Sequence, residues 1–344
     1  MLKARFIDVT YTHTEGMETC IIASGIPYPP HSTLLEKRRA LESGGTLESF
    51  KTSLLNEPRG HVAMYGAFLI PPSSRDYDAG VIWSDGVMCN DMCGHGTIAL
   101  GMAMVSGGLV PEADDGHTVI RFETTAGLVT AEVYSTEHAV HWTRFENVPA
   151  YVAAQDVPIE LPGYGELKTD VAFGGNYFAT VKWDHPDLKV CPENGACFRE
   201  LGEMVRKQLK EKLSFEHPTQ AHISYPSPTT DLLVTFWHES TRPEAYYRNV
   251  HVLTGGLLDR SPGGTGTSAM MAMLEARGLI KIGQPIHSEG LIGSGTFEGC
   301  LVRETSLGNQ RAVVPTVKGT ANIIGYAKWL LDENDTVGKG FVVT

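Results

Sequence analysis

Two short stretches of the chain are apolar on almost every side. One is Thr97-Ile-Ala-Leu-Gly-Met-Ala-Met-Val105; the other runs from Thr267 to Arg277, with only Glu275 and Arg277 charged. A helix without a polar face belongs where no water reaches it, so the pattern predicts two central, buried helices. Gly107-Gly108 stops the first. Around them, alternation of apolar and polar positions between turn residues predicts strands at 6–13, 20–24, 62–70, 80–85, 119–124, 128–133 and 139–145. In the second half, residues 171–181 read as strand, glycine turn and strand. Further strands are expected at 232–237, 248–254, 284–290, 297–304 and 316–325, and 341–344 as a segment able to join a sheet edge. Helical spacing is expected at 47–55 and 198–213, and from Leu34, capped by Ser32 or Thr33 with the charges of Glu36 to Arg39 facing outward. The charged run Arg206 to Lys212 likewise reads as a solvated helix face, and 326–331 as a short amphipathic segment. The Pro- and Gly-rich stretch 149–166 reads as a hinge.

The two buried helices are copies of one another. Gly263 lies 170 positions after Cys93, and at that offset Gly94 matches Gly264, Gly96 matches Gly266, Thr97 matches Thr267 and Ala99 matches Ala269. Gly108-Leu109-Val110 matches Gly278-Leu279-Ile280 at the far ends. Many short strands wrapped round two matched helices imply an α+β fold in duplicate, with pseudo-symmetric halves. The expected boundaries are 1–148 plus about 318–344 for the half carrying the Cys93 loop, and 149–317 for the half carrying the Gly263 loop.

Composition narrows the function. A chain of 344 residues with 42% hydrophobic and 20% charged residues suits a globular protein of about two domains. A net charge of -12 without a basic patch argues against nucleic acid or an anionic membrane as partner. No apolar run approaches a membrane span, and Met1 to Asp8 lacks the apolar core of a signal peptide. A cytoplasmic location is the expectation, with the six cysteines reduced.

The chemistry is expected at the helix mouths. A glycine-rich loop opening a helix presents unpaired N–H groups and the positive end of the helix dipole, which suits a carboxylate. A thiol there loses its proton more readily, so Cys93 is a candidate base or nucleophile, and His95 sits two residues on. Cys20, Cys191, Cys197 and Cys300 read as inert buried thiols. A metal site at Cys89, Cys93 and His95 lacks a second pair at matching spacing. A phosphate loop lacks its lysine.

These residues carry a family resemblance. Met92-Cys-Gly-His-Gly-Thr-Ile98 and Asp259-Arg-Ser-Pro-Gly-Gly-Thr-Gly-Thr-Ser-Ala269 resemble the two signature loops of the proline racemase family. Ile7-Asp8, His13-Thr-Glu-Gly16, Glu57-Pro-Arg-Gly-His61, Met64-Tyr-Gly66, Ala126-Gly-Leu128, Phe173-Gly-Gly-Asn176 and Ile292-Gly-Ser294 extend the likeness along the whole chain. The resemblance implies a diaminopimelate epimerase-like fold, no metal or organic cofactor, a proline-like small-molecule substrate, and a homodimer as the suitable assembly. It implies Cys93 as first base, Gly94, His95, Gly264 and Thr265 as holders of the substrate carboxylate, and Asp259 as acceptor from the ring ammonium. In two-base members each loop supplies one cysteine. Here the second position is Gly263.

That departure shapes the expected reaction. In trans-3-hydroxy-L-proline the 3-hydroxyl lies on the same ring face as the α-hydrogen. One thiolate can take the α-proton and return a proton to the departing hydroxyl, giving Δ1-pyrroline-2-carboxylate. The expectation is therefore a cofactor-independent dehydratase with Cys93 as its single acid and base. The alternatives are a 4-hydroxyproline 2-epimerase or proline racemase with a substitute second acid, and a catalytically weak protein that binds amino or imino acids.

Overall fold

The computed structural model describes residues 4–30, 32–137, 139–227 and 231–343. Its first elements are β1 (Ala4–Thr14), β2 (Met17–Ser24), α1 (Leu34–Leu41), α2 (Glu48–Leu55), β3 (Tyr65–Ile70), β4 (Ala79–Ser84), β5 (Cys89–Asn90), α3 (Gly94–Ser106), β6 (His117–Thr124), β7 (Gly127–Thr136) and β8 (Ala139–Glu146). Then come β9 (Tyr151–Leu161), β10 (Gly165–Phe173), β11 (Tyr177–Lys182), α4 (Gly195–Lys212), β12 (Phe215–Glu216), β13 (Ser224–Tyr225), β14 (Leu233–Glu239) and β15 (Tyr247–Val252). The last are α5 (Gly264–Ala276), β16 (Pro285–Glu289), β17 (Thr296–Leu307), β18 (Gln310–Gly319) and β19 (Asn322–Asp332).

Internal contacts divide the chain into two units. One comprises Met1–Asp91, Gly96–Thr143 and Thr320–Thr344; the other comprises Met92–His95 and Arg144–Gly319. In the first, strands run β19-β1-β2-β3-β4-β6-β7, paired antiparallel, antiparallel, parallel, antiparallel, parallel and antiparallel. In the second, β9-β10-β11-β14-β15-β16-β17 repeats that succession of senses, and β18 adds an antiparallel strand to β17. The α+β duplication thus extends from the loops to the sheets.

In each unit helices connect the strands of the first parallel pair, as a parallel connection requires. α1 and α2 lie between β2 and β3, and α4 between β11 and β14. Thr33 rather than Ser32 caps α1. Its hydroxyl accepts the Glu36 N–H, and the Glu36 carboxylate accepts the Thr33 N–H. Leu34, Leu41, Leu54 and Leu55 from these helices meet Ile7, Ile22 and Phe68 from the sheet in the first unit's core. In the second unit every residue of α5 from Gly264 to Leu274 is buried. Among the described residues no helix is long and apolar enough to cross a membrane.

Several expectations are corrected. Residues 149–166 are no hinge. They contain β9, which folds back on β10 with Leu161 opposite Gly165, through a turn whose Gly163 and Gly165 have positive φ. The strand expected at 316–325 straddles the end of β18 and the start of β19, and the amphipathic segment 326–331 lies within strand β19. Two arginines assigned to solvated faces are buried: Arg38 is 2% exposed and Arg206 is 7% exposed. The loop Met92–His95 groups with the second unit, not the first. Phe341 bridges Glu57, while Thr344 lies outside the described residues.

Candidate functional site

The site is built where the glycines of the two loops meet. A Cβ on Gly94 would collide with the backbone of Gly264 and Thr265, and a Cβ on Gly264 would collide with the backbone of Gly94. Only glycine at both positions allows this approach, which explains why the repeat keeps both. The β10–β11 turn braces them. Asn176 donates to the Met92 carbonyl at 2.7 Å, and Gly175 lies against Met92 and Thr265. Asn147 donates to the Gly174 carbonyl at 2.8 Å and to the Ser268 hydroxyl at 3.0 Å.

Three predicted side chains come together there. The Cys93 sulfur is 3.5 Å from Nδ1 and 3.6 Å from Nε2 of His95. Near-equal distances place the sulfur against the ring, not at the end of one N–H. His95 Nδ1 is in turn 3.9 Å from Oδ2 of Asp259, an ion pair when the imidazole is protonated. All three are buried. Asp259 divides its oxygens: Oδ1 accepts the Ser261 N–H and hydroxyl, each at 2.8 Å, and Oδ2 faces His95. The Ser261 hydroxyl oxygen then accepts the Gly263 N–H at 3.1 Å. Asp259 therefore both shapes the second loop and presents a carboxylate oxygen.

Gly264 and Thr265 stand in the first turn of α5, where backbone N–H groups lack helical acceptors. Gly263 precedes them with φ 75° and ψ 109°, a conformation that strains any residue with a Cβ. The non-glycine residues of positive φ among those described are Glu15 and Asp156, so Cys93 does not share it.

The space beside Gly263 is filled by a residue that the sequence reading passed over. A Cβ on Gly263 would fall on Cδ2 and Nε2 of His251, and one on Gly266 would meet the same ring. The imidazole is fully buried. Nε2–H donates to the Pro262 carbonyl at 2.9 Å, and Nδ1 lies 2.7 Å from the Thr235 hydroxyl. Burial lowers its pKa, against the pull of the Asp259 carboxylate and the Pro262 carbonyl. His251 sits in strand β15, outside both motifs, and a lone His in a strand gives no signal.

Of the four thiols expected to be buried, Cys20 is, and Cys191, Cys197 and Cys300 are not. Cys20 and Cys89 are buried, and burial pushes both thiols up to about 12. Cys197 is exposed, and Cys191 and Cys300 are half-buried. Among the described residues no three His, Cys, Asp or Glu side chains converge as a metal site needs.

The chain matches the family described as proline racemase over residues 9–342. It is 57% identical over 336 residues to a 4-hydroxyproline 2-epimerase of Cereibacter sphaeroides, covering 98% of each chain. It is 37% identical over 343 residues to a proline racemase of Clostridioides difficile, covering all of both. Its backbone superposes with a TM-score of 0.90 on a hydroxyproline epimerase from Agrobacterium vitis with bound trans-4-hydroxy-L-proline, at 28% identity, over 98% of this chain and 95% of the other.

Proposed function

We propose, from the premise that this chain belongs to the proline racemase family, that it inverts the α-carbon of 4-hydroxyproline as a 2-epimerase. The observation that carries the reading is the kinship with the Cereibacter sphaeroides relative, whose name states that reaction. The site supports it. Cys93 as thiolate takes the α-proton, and the N–H groups of Gly264 and Thr265 hold the substrate carboxylate as negative charge spreads onto it. His95 lies against the thiolate, and Asp259 Oδ2 accepts from the ring ammonium. A proton then arrives on the opposite face of the α-carbon, which completes inversion.

This revises the dehydration expected from a single thiol. Counting thiols is not counting acids, because an imidazole or water can protonate a carbanion too. Dehydration of trans-3-hydroxy-L-proline stays as the second reading on one observation: residue 263 carries no side chain.

The test is incubation in deuterated water with trans-4-hydroxy-L-proline, L-proline and trans-3-hydroxy-L-proline, followed by NMR. The expected result is cis-4-hydroxy-D-proline bearing deuterium at the α-carbon. Cyclic imine from the 3-hydroxy compound, with no inversion of the other two, would replace epimerisation by dehydration.

A further inference from the structure

The epimerase reading leaves the second proton without a donor, and the structure offers one. We propose that His251 is the second acid and base, occupying the place of a side chain at residue 263 and delivering the proton to the face of the α-carbon opposite Cys93. The inference rests on the epimerase reading.

Three observations carry it. First, a Cβ built on Gly263 falls on the His251 ring, so the imidazole stands where a thiol at that position would begin. The positive φ of Gly263 and the bare α-carbon of Gly266 are what let the ring in. Second, the surroundings suit a ring that carries two protons in turn. Nδ1 faces the Thr235 hydroxyl and Nε2 faces the Pro262 carbonyl, so both nitrogens of an imidazolium would find oxygen acceptors. Burial lowers the pKa of the ring, and the Asp259 carboxylate pulls against it in favour of the charged form. Third, the ring belongs to the loop–helix copy that lacks the thiol. The strand register pairs Ala67 with Trp83 in the first unit and Thr235 with His251 in the second. The strand pair before the cysteine-free helix opening has a titratable imidazole where the matching pair has an indole.

The proton balance is that of a two-base inversion. The Cys93 thiolate accepts the α-proton of the L-substrate, and Nε2–H of the His251 imidazolium leaves its acceptor, the Pro262 carbonyl, to give its proton to the other face. The product leaves behind a thiol and a neutral imidazole. The D-substrate reverses both transfers, and no other reactant is required.

The experiment uses the whole protein with trans-4-hydroxy-L-proline and cis-4-hydroxy-D-proline in deuterated water, comparing wild type with His251→Gln. The amide keeps one donor for the Pro262 carbonyl and removes the transferable proton. Inversion is expected to fall about 10²-fold or more, while deuterium still enters the α-position of the L-isomer through Cys93. Inversion by His251→Gln within a few-fold of wild type overturns the proposal. So does a folded variant that has lost exchange and inversion together, because that marks the ring as packing alone. If His251→Gln does not fold, the double variant His251→Val, Gly263→Cys decides. Inversion recovered there, and absent from Gly263→Cys alone, supports the proposal; no recovery in a folded double variant overturns it. Wild type that inverts neither isomer removes the epimerase reading, and this inference with it.

Discussion

The two units share one order of strand senses, one kind of crossover and one kind of helix opening, yet they hold their loops differently. In the first, the chain enters the Cys93 loop from Asp91, which is anchored by a buried ion pair with Arg38 of α1. The same guanidinium donates to the Thr125 hydroxyl at 3.1 Å, the Cys89 carbonyl at 2.7 Å and Glu42 at 2.8 Å. In the second, Arg206 of α4 is also buried, but it donates to the carbonyls of Leu232 at 2.8 Å, Val252 at 3.2 Å and Leu253 at 2.9 Å. Its acidic partners, Glu203 and Asp231, are 47% and 23% exposed. The second loop is shaped instead by Asp259 and Ser261, from inside the loop. Duplication has kept the backbone and reassigned the chemistry: the first loop carries a thiol, and the second carries N–H groups, a carboxylate and a glycine packed on an imidazole.

The largest test of that division is Cys93→Ala. If the thiol is the base for the L-face, inversion of trans-4-hydroxy-L-proline should fall by about 10²–10⁴-fold, and the L-isomer should stop exchanging its α-hydrogen. The unfolding midpoint should fall only modestly, since the substitution removes one buried sulfur and leaves the fold otherwise intact. Full turnover in this variant would end the assignment of chemistry to the first loop.

Next come the two arginines, compared by urea unfolding. Arg38→Ala leaves Asp91 as a buried charge without its cation and should destabilise the protein by about 3–5 kcal/mol. Arg206→Ala strands backbone carbonyls, while its acidic partners still reach water. Its expected cost is about 1–3 kcal/mol. Equal costs would mean that the two anchors are interchangeable and that the contrast between them carries no energy.

The glycine contact should respond more evenly. Gly94→Ala and Gly264→Ala each push a methyl into the other's backbone, so each should cost about 1–3 kcal/mol and raise the KM of the substrate, because the N–H groups move. A variant at only one position with normal stability and KM would show that the approach of these two backbones is not required.

How much of this was legible follows from range. The two apolar helices and the two matched glycine loops could be read because each signal lies within a dozen residues of the chain, whereas Asp259 was named only through the family resemblance and reaches His95 from 164 residues away. Arg38 was misread because helical charge spacing looks the same whether its partner is water or Asp91, which is 53 residues away. His251 was missed because its meaning comes from Gly263 across a turn, and from Thr235 in the neighbouring strand. Residues 149–166 were misassigned because Pro and Gly mark edges and turns of strands as readily as linkers. Pro158 lies within β9, opposite Lys168.

The smallest effect concerns thiols, and it again separates the units. Cys20 and Cys89 belong to the first unit, and burial holds both near 12 against a usual value of 9.0. Unfolded, these thiols ionise above about 8.5; folded, they keep their protons. The folded state therefore binds more protons, so this stability is fully present below the unfolded pKa and is lost as pH rises through the folded one. Urea midpoints should decline between about pH 9 and 12, and Cys20→Ala or Cys89→Ala should flatten the decline while lowering the midpoint at pH 7. Cys197 of the second unit is exposed and should react with a thiol reagent in the native protein at once. Cys20 and Cys89 should react only on the timescale of opening. If they label as fast as Cys197, the first unit opens far more readily than its buried Arg38–Asp91 ion pair implies.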